Sequence, residues 1–288
     1  MCRSSENRSD PQLSQEYFTA PRLCTDFFGF VHTKPPFDDP LVRKAFAAAI
    51  DRVALIENVT KGGQVPAHSF APPGILDNVA DDMSIGGYLI EADYADQIAQ
   101  AQAWLAEAGY PESDGIDIVL GHDTAEGQTQ LAQAVQAIWQ EAFPQAKITI
   151  EGQEWGVYID TLMPDSRDEE KPNAFRLGLC ADYPDQNDWL PIFNSKNAMN
   201  IAKYNNPDYD TLIEAATIES NVAKRLDLYR QAEDMFINQD AVIAPINYYT
   251  FNRLYKPWLT TVVISPVGAD PVAQWRIDWA AKTAARGQ

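Results

Sequence analysis

Residues 27–52 read FFGFVHTKPPFDDPLVRKAFAAAIDR, and this stretch constrains the fold more than any other. Residues 25–33 are rich in aromatic and β-branched side chains, which suit a strand. Pro35 and Pro36 cannot donate to a ladder and end it. Asp39 is a good N-cap and Pro40 a good first helical residue. Leu41, Ala45, Ala48 and Ala49 then recur at helical spacing, while Arg43, Lys44 and Arg52 can face water. Asp51 caps a second helix carrying Val53, Leu55, Ile56 and Val59, which Gly62 and Gly63 stop. A strand, a proline turn and a sharply started helix predict the entry to an α/β domain.

The rest of the chain continues this pattern. Residues 65–75 hold Pro66, Pro72, Pro73 and Gly74 and read as a loop. Residues 94–108 form an amphipathic helix with Ile98, Ala101, Trp104, Leu105 and Ala108 on one side, stopped by Gly109 and Pro111. A short strand at 116–120, a helix at 128–143, a strand at 147–151 and a helix at 155–163 follow. In the first of these helices Leu131, Ala134, Val135, Ile138 and Trp139 face inward. Trp104, Trp139 and Trp155 all sit at helical core spacing. This order implies a sheet covered by helices, with right-handed crossovers wherever strands are parallel. A polar segment, 164–172, precedes a strand at 174–180. Helices at 209–219 and 222–238 and a strand at 241–255 come next, and from residue 258 a tail carries Trp275, Ile277 and Trp279. No internal repeat or low-complexity segment is present.

Composition excludes several classes. The chain has 288 residues, with 22 basic against 41 acidic and a net charge of −19. Lys and Arg do not cluster, which argues against nucleic acid as a partner. The acidity serves solubility or attracts cationic ligands. Hydrophobic content of 45% and seven Trp indicate a folded globular chain. No apolar run reaches the roughly eighteen residues of a membrane-spanning helix. There is no G-x-S-x-G, H-E-x-x-H, G-x-x-x-x-G-K or G-x-G-x-x-G. His32, His68 and His122 have no metal-ligand spacing, so neither a metal nor a cofactor is expected. Carboxylates are plentiful, which leaves an acidic hydrolase as a remote alternative. The N-terminus is polar and Cys2 follows no apolar segment; alone, it points to the cytoplasm.

Residues 175–193, FRLGLCADYPDQNDWLPIF, hold the best candidate site. A strand ends at Cys180 and Ala181, and Asp182, Tyr183, Pro184 and Asp185 turn the chain. Ligands gather at the C-terminal ends of strands in α/β sheets. Asp182 suits either a turn cap or a fixed anion for a buried ammonium. Arg176 lies six residues earlier with the same face parity. Its fork suits a carboxylate, and a surface ion pair is the simpler alternative. Tyr183, Trp189 and Tyr158 are aromatic candidates for a ligand wall or for core.

The opening stretch closely resembles the pattern N-T-x-x-P-P-F-x-D-x-x-V-R-x-A-x-x-x-A-I-D-R. The matching residues are Thr33, Pro35, Pro36, Phe37, Asp39, Val42, Arg43, Ala45, Ala49, Ile50, Asp51 and Arg52. The usual Asn is absent; Val31 and His32 stand in that region. This is the signature of the extracytoplasmic peptide-binding proteins of ABC importers, solute-binding protein family 5, the oligopeptide/dipeptide/nickel class. The loop at 65–75 resembles the family's P-A-x-x-x-x-P-P, and AQAWLAEAGYP resembles its A-x-x-L-L-x-E-A-G-Y-P. The segment around Asp182 resembles G-W-x-A-D-Y-x-x-P.

The resemblance implies an α/β periplasmic-binding-protein-like lobe, a mixed sheet with helices on both faces, plus a C-terminal return segment of the other lobe. The motif lies near mid-chain in the family, so this chain looks like the C-terminal half, without signal peptide or first lobe. The implied organisation is a lead-in at 1–22, a second ligand-binding lobe at 23–257 and a returning segment at 258–288 whose apolar positions lack their partner. The implied function is capture of short peptides and delivery to a membrane permease, with no chemistry on the ligand. The implied location is periplasmic or extracytoplasmic, as a monomer. By resemblance Asp182 binds the ligand's α-ammonium, Arg176 meets the carboxylate end of short peptides, and His32 lies near the ligand side. Some members carry a disulfide at positions matching Cys24 and Cys180, which implies that pair here and an oxidising compartment. Oligosaccharides, nickel chelates and haem are alternative ligands within the family.

Overall fold

The computed structural model describes residue 7 and residues 9–90, 93–163, 165–268 and 270–287. Cys2 and Pro164 lie outside the described residues. Strand β1 spans Tyr17–Phe30, eight residues earlier at its start than the aromatic run suggests. The reason is a partner: its polar first half pairs antiparallel with β6 (Ile243–Leu254), from Tyr17 opposite Leu254 to Pro21 opposite Thr250. A register shift follows Pro21, where a proline interrupts the ladder. The expected lead-in at 1–22 is therefore partly sheet.

Helix α1 spans Pro40–Ala48, and Asp39 caps it by accepting the Leu41 N–H at 2.7 Å. Helix α2, Arg52–Leu55, is capped by Asp51 through the Ala54 N–H at 2.8 Å and widens into a π-helical turn over Ile56–Thr60. Lys61, not a glycine, takes the left-handed conformation that ends it, with φ of 52°. Within the expected loop, Val65–Pro66 forms a short strand, β2, on β6. Then come α3 (Tyr94–Glu107), β3 (Asp117–Asp123), α4 (Glu126–Ala142), β4 (Lys147–Gln153) and α5 (Trp155–Leu162). They are followed by β5 (Ala174–Cys180), α6 (Pro207–Ile218) and α7 (Val222–Asp234), the last extended by a π-helical turn over Met235–Gln239.

The six strands order as β2-β6-β1-β5-β3-β4. β3 is parallel to both β4 and β5, whereas β1 is antiparallel to β5 and β6. The sheet is mixed, as the resemblance implies. Its two faces are covered differently. Phe28 of β1 meets Trp139 of α4 at 6.0 Å, and Phe46 of α1 meets the same indole at 5.0 Å. On the other face Phe27 meets Phe70 and Phe193, and Phe193 meets Phe236 just after α7 at 4.7 Å. Gly29 lets the two strands close up: a Cβ there would lie 2.2 Å from the Phe175 ring.

Two expectations about exposure fail. Arg43 and Arg52 are buried, not solvated. Arg52 donates to the carbonyls of Pro245, Leu89, Ile50 and Ala47 at 2.7–3.1 Å, and Arg43 to those of Asp240 and Phe37. A guanidinium with five donors can gather orphan carbonyls that no helix or ladder uses. Trp155 is 53% exposed, because it opens the short α5 rather than lying along its buried side. In the tail, Leu259–Thr261 (β7) pairs with Arg276–Ile277 (β8), and α8 spans Trp279–Arg286. Trp279 is 64% exposed, but Trp275 packs on Tyr255 at 5.6 Å.

Candidate ligand-binding site

β5 ends where Cys180 faces Cys24 across the ladder, with Cα atoms 4.0 Å apart and the two sulfurs bonded. The Ala181 N–H donates to the Leu23 carbonyl at 2.8 Å, and beyond that rung the chain leaves the sheet. The turn that follows is held from three sides. Asp188 accepts the N–H groups of Asp182 and Tyr183 at 2.6 and 3.4 Å. Leu76 donates to the Pro184 carbonyl and accepts from the Gln186 N–H, both at 3.0 Å. Arg225 of α7 pairs with Asp77 and Asp185 together and lies over the Tyr229 ring at 5.0 Å. Partial burial raises the Asp188 carboxyl, and the two N–H bonds oppose that rise. The backbone of Asp182 is thus fixed. Its carboxylate is exposed and accepts no hydrogen bond among the described residues.

Glu233 supports this turn from beneath. It is fully buried and accepts from the Phe70 N–H and from Gln186 Nε2, both at 2.6 Å. Burial pushes its carboxyl up to about 7 against those bonds.

A second polar group lies further along the sheet, on the face that carries Phe28. Arg176 is buried in β5. It donates to Asp26 Oδ1 through Nε at 2.9 Å and Nη2 at 2.8 Å, and Nη2 also reaches the Tyr249 hydroxyl at 2.5 Å. Nη1 lies 3.6 Å from Asp123. Burial raises the Asp26 carboxyl although Arg176 pulls it down. Burial alone would lower the guanidinium, but Asp26, Tyr249 and Asp123 keep it firmly charged. Gly178, opposite Asp26, is required here because a Cβ would sit 2.7 Å from the Tyr249 hydroxyl. Beside the cluster is a cavity of about 300 Å³ walled by Asp26, Asn247, Tyr249, Gln64, Gln128 and neighbouring residues.

The predicted site residues do not all converge. Asp182 and Tyr183 share the exposed turn, and the Tyr183 hydroxyl accepts from Asn187 Nδ2 at 3.2 Å. Trp189 and Tyr158 are core: Trp189 packs on Phe70 at 5.0 Å, and the Tyr158 hydroxyl lies within 3.0 Å of the carbonyls of Gly121 and Arg176. Arg176 is neither at the surface nor free. His32 lies just past the opposite end of β1, roughly 20 Å or more from Cys24 at the rise of a strand. There it packs on Tyr204, and burial with the nearby Arg43 pushes its imidazole well below the usual value. Asp26, Asn247 and Tyr249 escape the sequence reading. The one signal for Asp26 is a charge inside the otherwise apolar run TDFFGF.

The model of the bacterial extracellular solute-binding proteins, family 5 middle region, matches residues 4–200. The chain belongs to this family. Its members are solute-binding proteins, and related chains are peptide binders by name. The periplasmic oligopeptide-binding protein OppA of Salmonella typhimurium is 30% identical over 253 residues, 86% of this chain and 44% of its own length. The Escherichia coli murein tripeptide-binding protein MppA superposes with a TM-score of 0.79 at 28% identity, covering 95% of this chain and 51% of that one. Haemophilus influenzae OppA, in complex with RPPGFSPFR, gives 0.73 at 26% identity over 89% and 48%. This family-5 chain spans about half the length of the curated relatives it matches. Among the described residues no helix is long and apolar enough to cross a membrane.

Proposed function

We propose that this chain forms the second lobe of a solute-binding component of an ABC importer, with Asp182 receiving the α-ammonium of a short peptide. In this reading residues 23–257 make the lobe and 258–288 return toward a first lobe; the ligand is captured and passed on unchanged to a membrane permease outside the cytoplasm. One observation carries the proposal: an exposed carboxylate on a rigidly held turn, at the C-terminal end of β5 beside the Cys24–Cys180 bond. A fixed anion binds an ammonium without paying to organise itself. The cluster around Arg176 lies further back along β5, and Tyr183 offers an exposed ring. The oligosaccharide alternative draws on the tryptophans, and Trp139 and Trp189 are fully buried.

Calorimetric titration of the chain with Ala-Ala-Ala and with its N-acetylated form tests this reading. Acetylation should weaken binding about tenfold or more, and Asp182→Ala should erase that difference. Equal binding of the two peptides by the unaltered chain would refute the role of Asp182.

A further inference from the structure

The cavity beside Arg176 holds polarity that the described residues do not satisfy. The Arg176 fork is largely committed: Nε and Nη2 go to Asp26, Nη2 also to Tyr249, and Nη1 makes an ion-pair contact with Asp123 at 3.6 Å. One buried positive charge stands against two buried carboxylates. Both bonds to Asp26 fall on Oδ1. A carboxylate entering here meets a committed guanidinium and two like charges, an arrangement that repels it.

Asn247 supplies an independent observation. It lines the cavity, its exposure is 0%, and among the described residues neither its Oδ1 nor its Nδ2 has a hydrogen-bond partner. It lies close enough to Asp26 to help lower that carboxyl, yet short of hydrogen-bond geometry. Buried amides are almost always paired, so an orphan on a cavity wall marks a place where something else donates and accepts. Among the described residues no Lys or Arg lines this cavity; Arg22 stacks on Phe251 at 5.2 Å and lines a neighbouring cavity.

We infer that this cavity is a subsite for a cationic side chain, a guanidinium or an ammonium, received between Asp26 and the Asn247 amide. Arg176 then acts as a fixed counter-charge that holds Asp26 ionised and in place, not as a clamp for a carboxylate. Asn247 Oδ1 accepts one N–H of the entering group, and Nδ2 donates to a carbonyl of the same ligand. The source of that group rests on the peptide reading above. Gly178, opposite Asp26, lies four residues before Asp182, about 13 Å along a strand. A peptide anchored at Asp182 and extended along β5 brings a residue near its fourth position level with the cavity.

The test uses the ¹⁵N-labelled chain titrated with n-butylguanidinium and, separately, with butyrate, following the Asn247 side-chain amide resonances. The guanidinium should shift them with a dissociation constant at least about tenfold below that of butyrate. Asp26→Asn should remove this preference, and Asp182→Ala should leave it intact. Equal responses, a stronger response to butyrate, or no shift with either ion overturns the inference. Should Asp26→Asn fail to fold, the two-ion comparison on the unaltered chain still decides. The probe carries neither peptide bond nor α-ammonium, so this result and the acetylation result can fail separately.

Discussion

Glu233 is the most exacting single residue in the molecule. Its carboxyl, ordinarily near 4.5, is pushed to about 7 by complete burial, while the N–H of Phe70 and the amide of Gln186 hold it in place. In the unfolded chain the proton leaves near 4.5; in the folded chain it stays until about 7. The group therefore contributes most below about 4.5, progressively less as pH rises toward 7, and a constant deficit above it. A gap of that size corresponds to on the order of 3 kcal/mol. Glu233→Gln keeps the acceptor for the Phe70 N–H and, with the Gln186 amide turned over, donates to Gln186 Oε1, a buried atom without a partner among the described residues. Thermal denaturation should find the variant close to the parent at pH 5 and more stable by several degrees at pH 8. An unchanged difference across that range would show that Glu233 does not titrate as its burial requires. Nothing in the sequence around Glu233 announces burial, since it lies on a helix among charged neighbours. The same blindness applies to Arg43 and Arg52. Periodicity sorts side chains by polarity, and a guanidinium whose partners are backbone carbonyls from distant segments leaves no local trace.

The elements themselves were largely legible, because their signals are local. Asp39 with Pro40, and Asp51, mark helix starts that the structure reproduces with side-chain caps. Gly109 stops α3 with φ of +94°, as its place after a run of apolar positions predicts. What local signals could not supply was pairing. The extension of β1 back to Tyr17 depends on residues more than two hundred positions away in β6, and β2 exists only because β6 offers it an edge. Likewise the turn carrying Asp182 is legible as a turn, but its rigidity comes from α7. Arg225 joins Asp77 and Asp185, so the loop after β2 and the turn after β5 share one cation. Arg225→Ala should cut amide-exchange protection at Leu76 and Gln186 about tenfold or more and lower global stability by only about 1–2 kcal/mol. Hydrogen exchange followed residue by residue separates these outcomes; unchanged protection at both amides would show that the helix does not hold the turn.

At the scale of the whole molecule, the Cys24–Cys180 bond closes a covalent loop with a sequence separation of 156. The pairing was legible only through resemblance to a family, since three cysteines by themselves allow several pairings. Chain-entropy reasoning assigns such a loop on the order of 4–5 kcal/mol, as an upper figure. Replacing both cysteines by Ala should lower the stability measured by chemical denaturation by up to that amount, with the fold retained because β1 and β5 keep their ladder. A variant of unchanged stability would mean that the unfolded chain gains no freedom from the missing link. The bond also has a mechanical consequence. Leu23 within β1 and Ala181 just past β5 flank it, so the middle of β1 and the place where the chain leaves β5 for Asp182 cannot slide past one another. Any pull delivered through residues 17–23 reaches the Asp182 turn without slack, and a swing of that incoming strand carries the anion with it as a lever carries its tip.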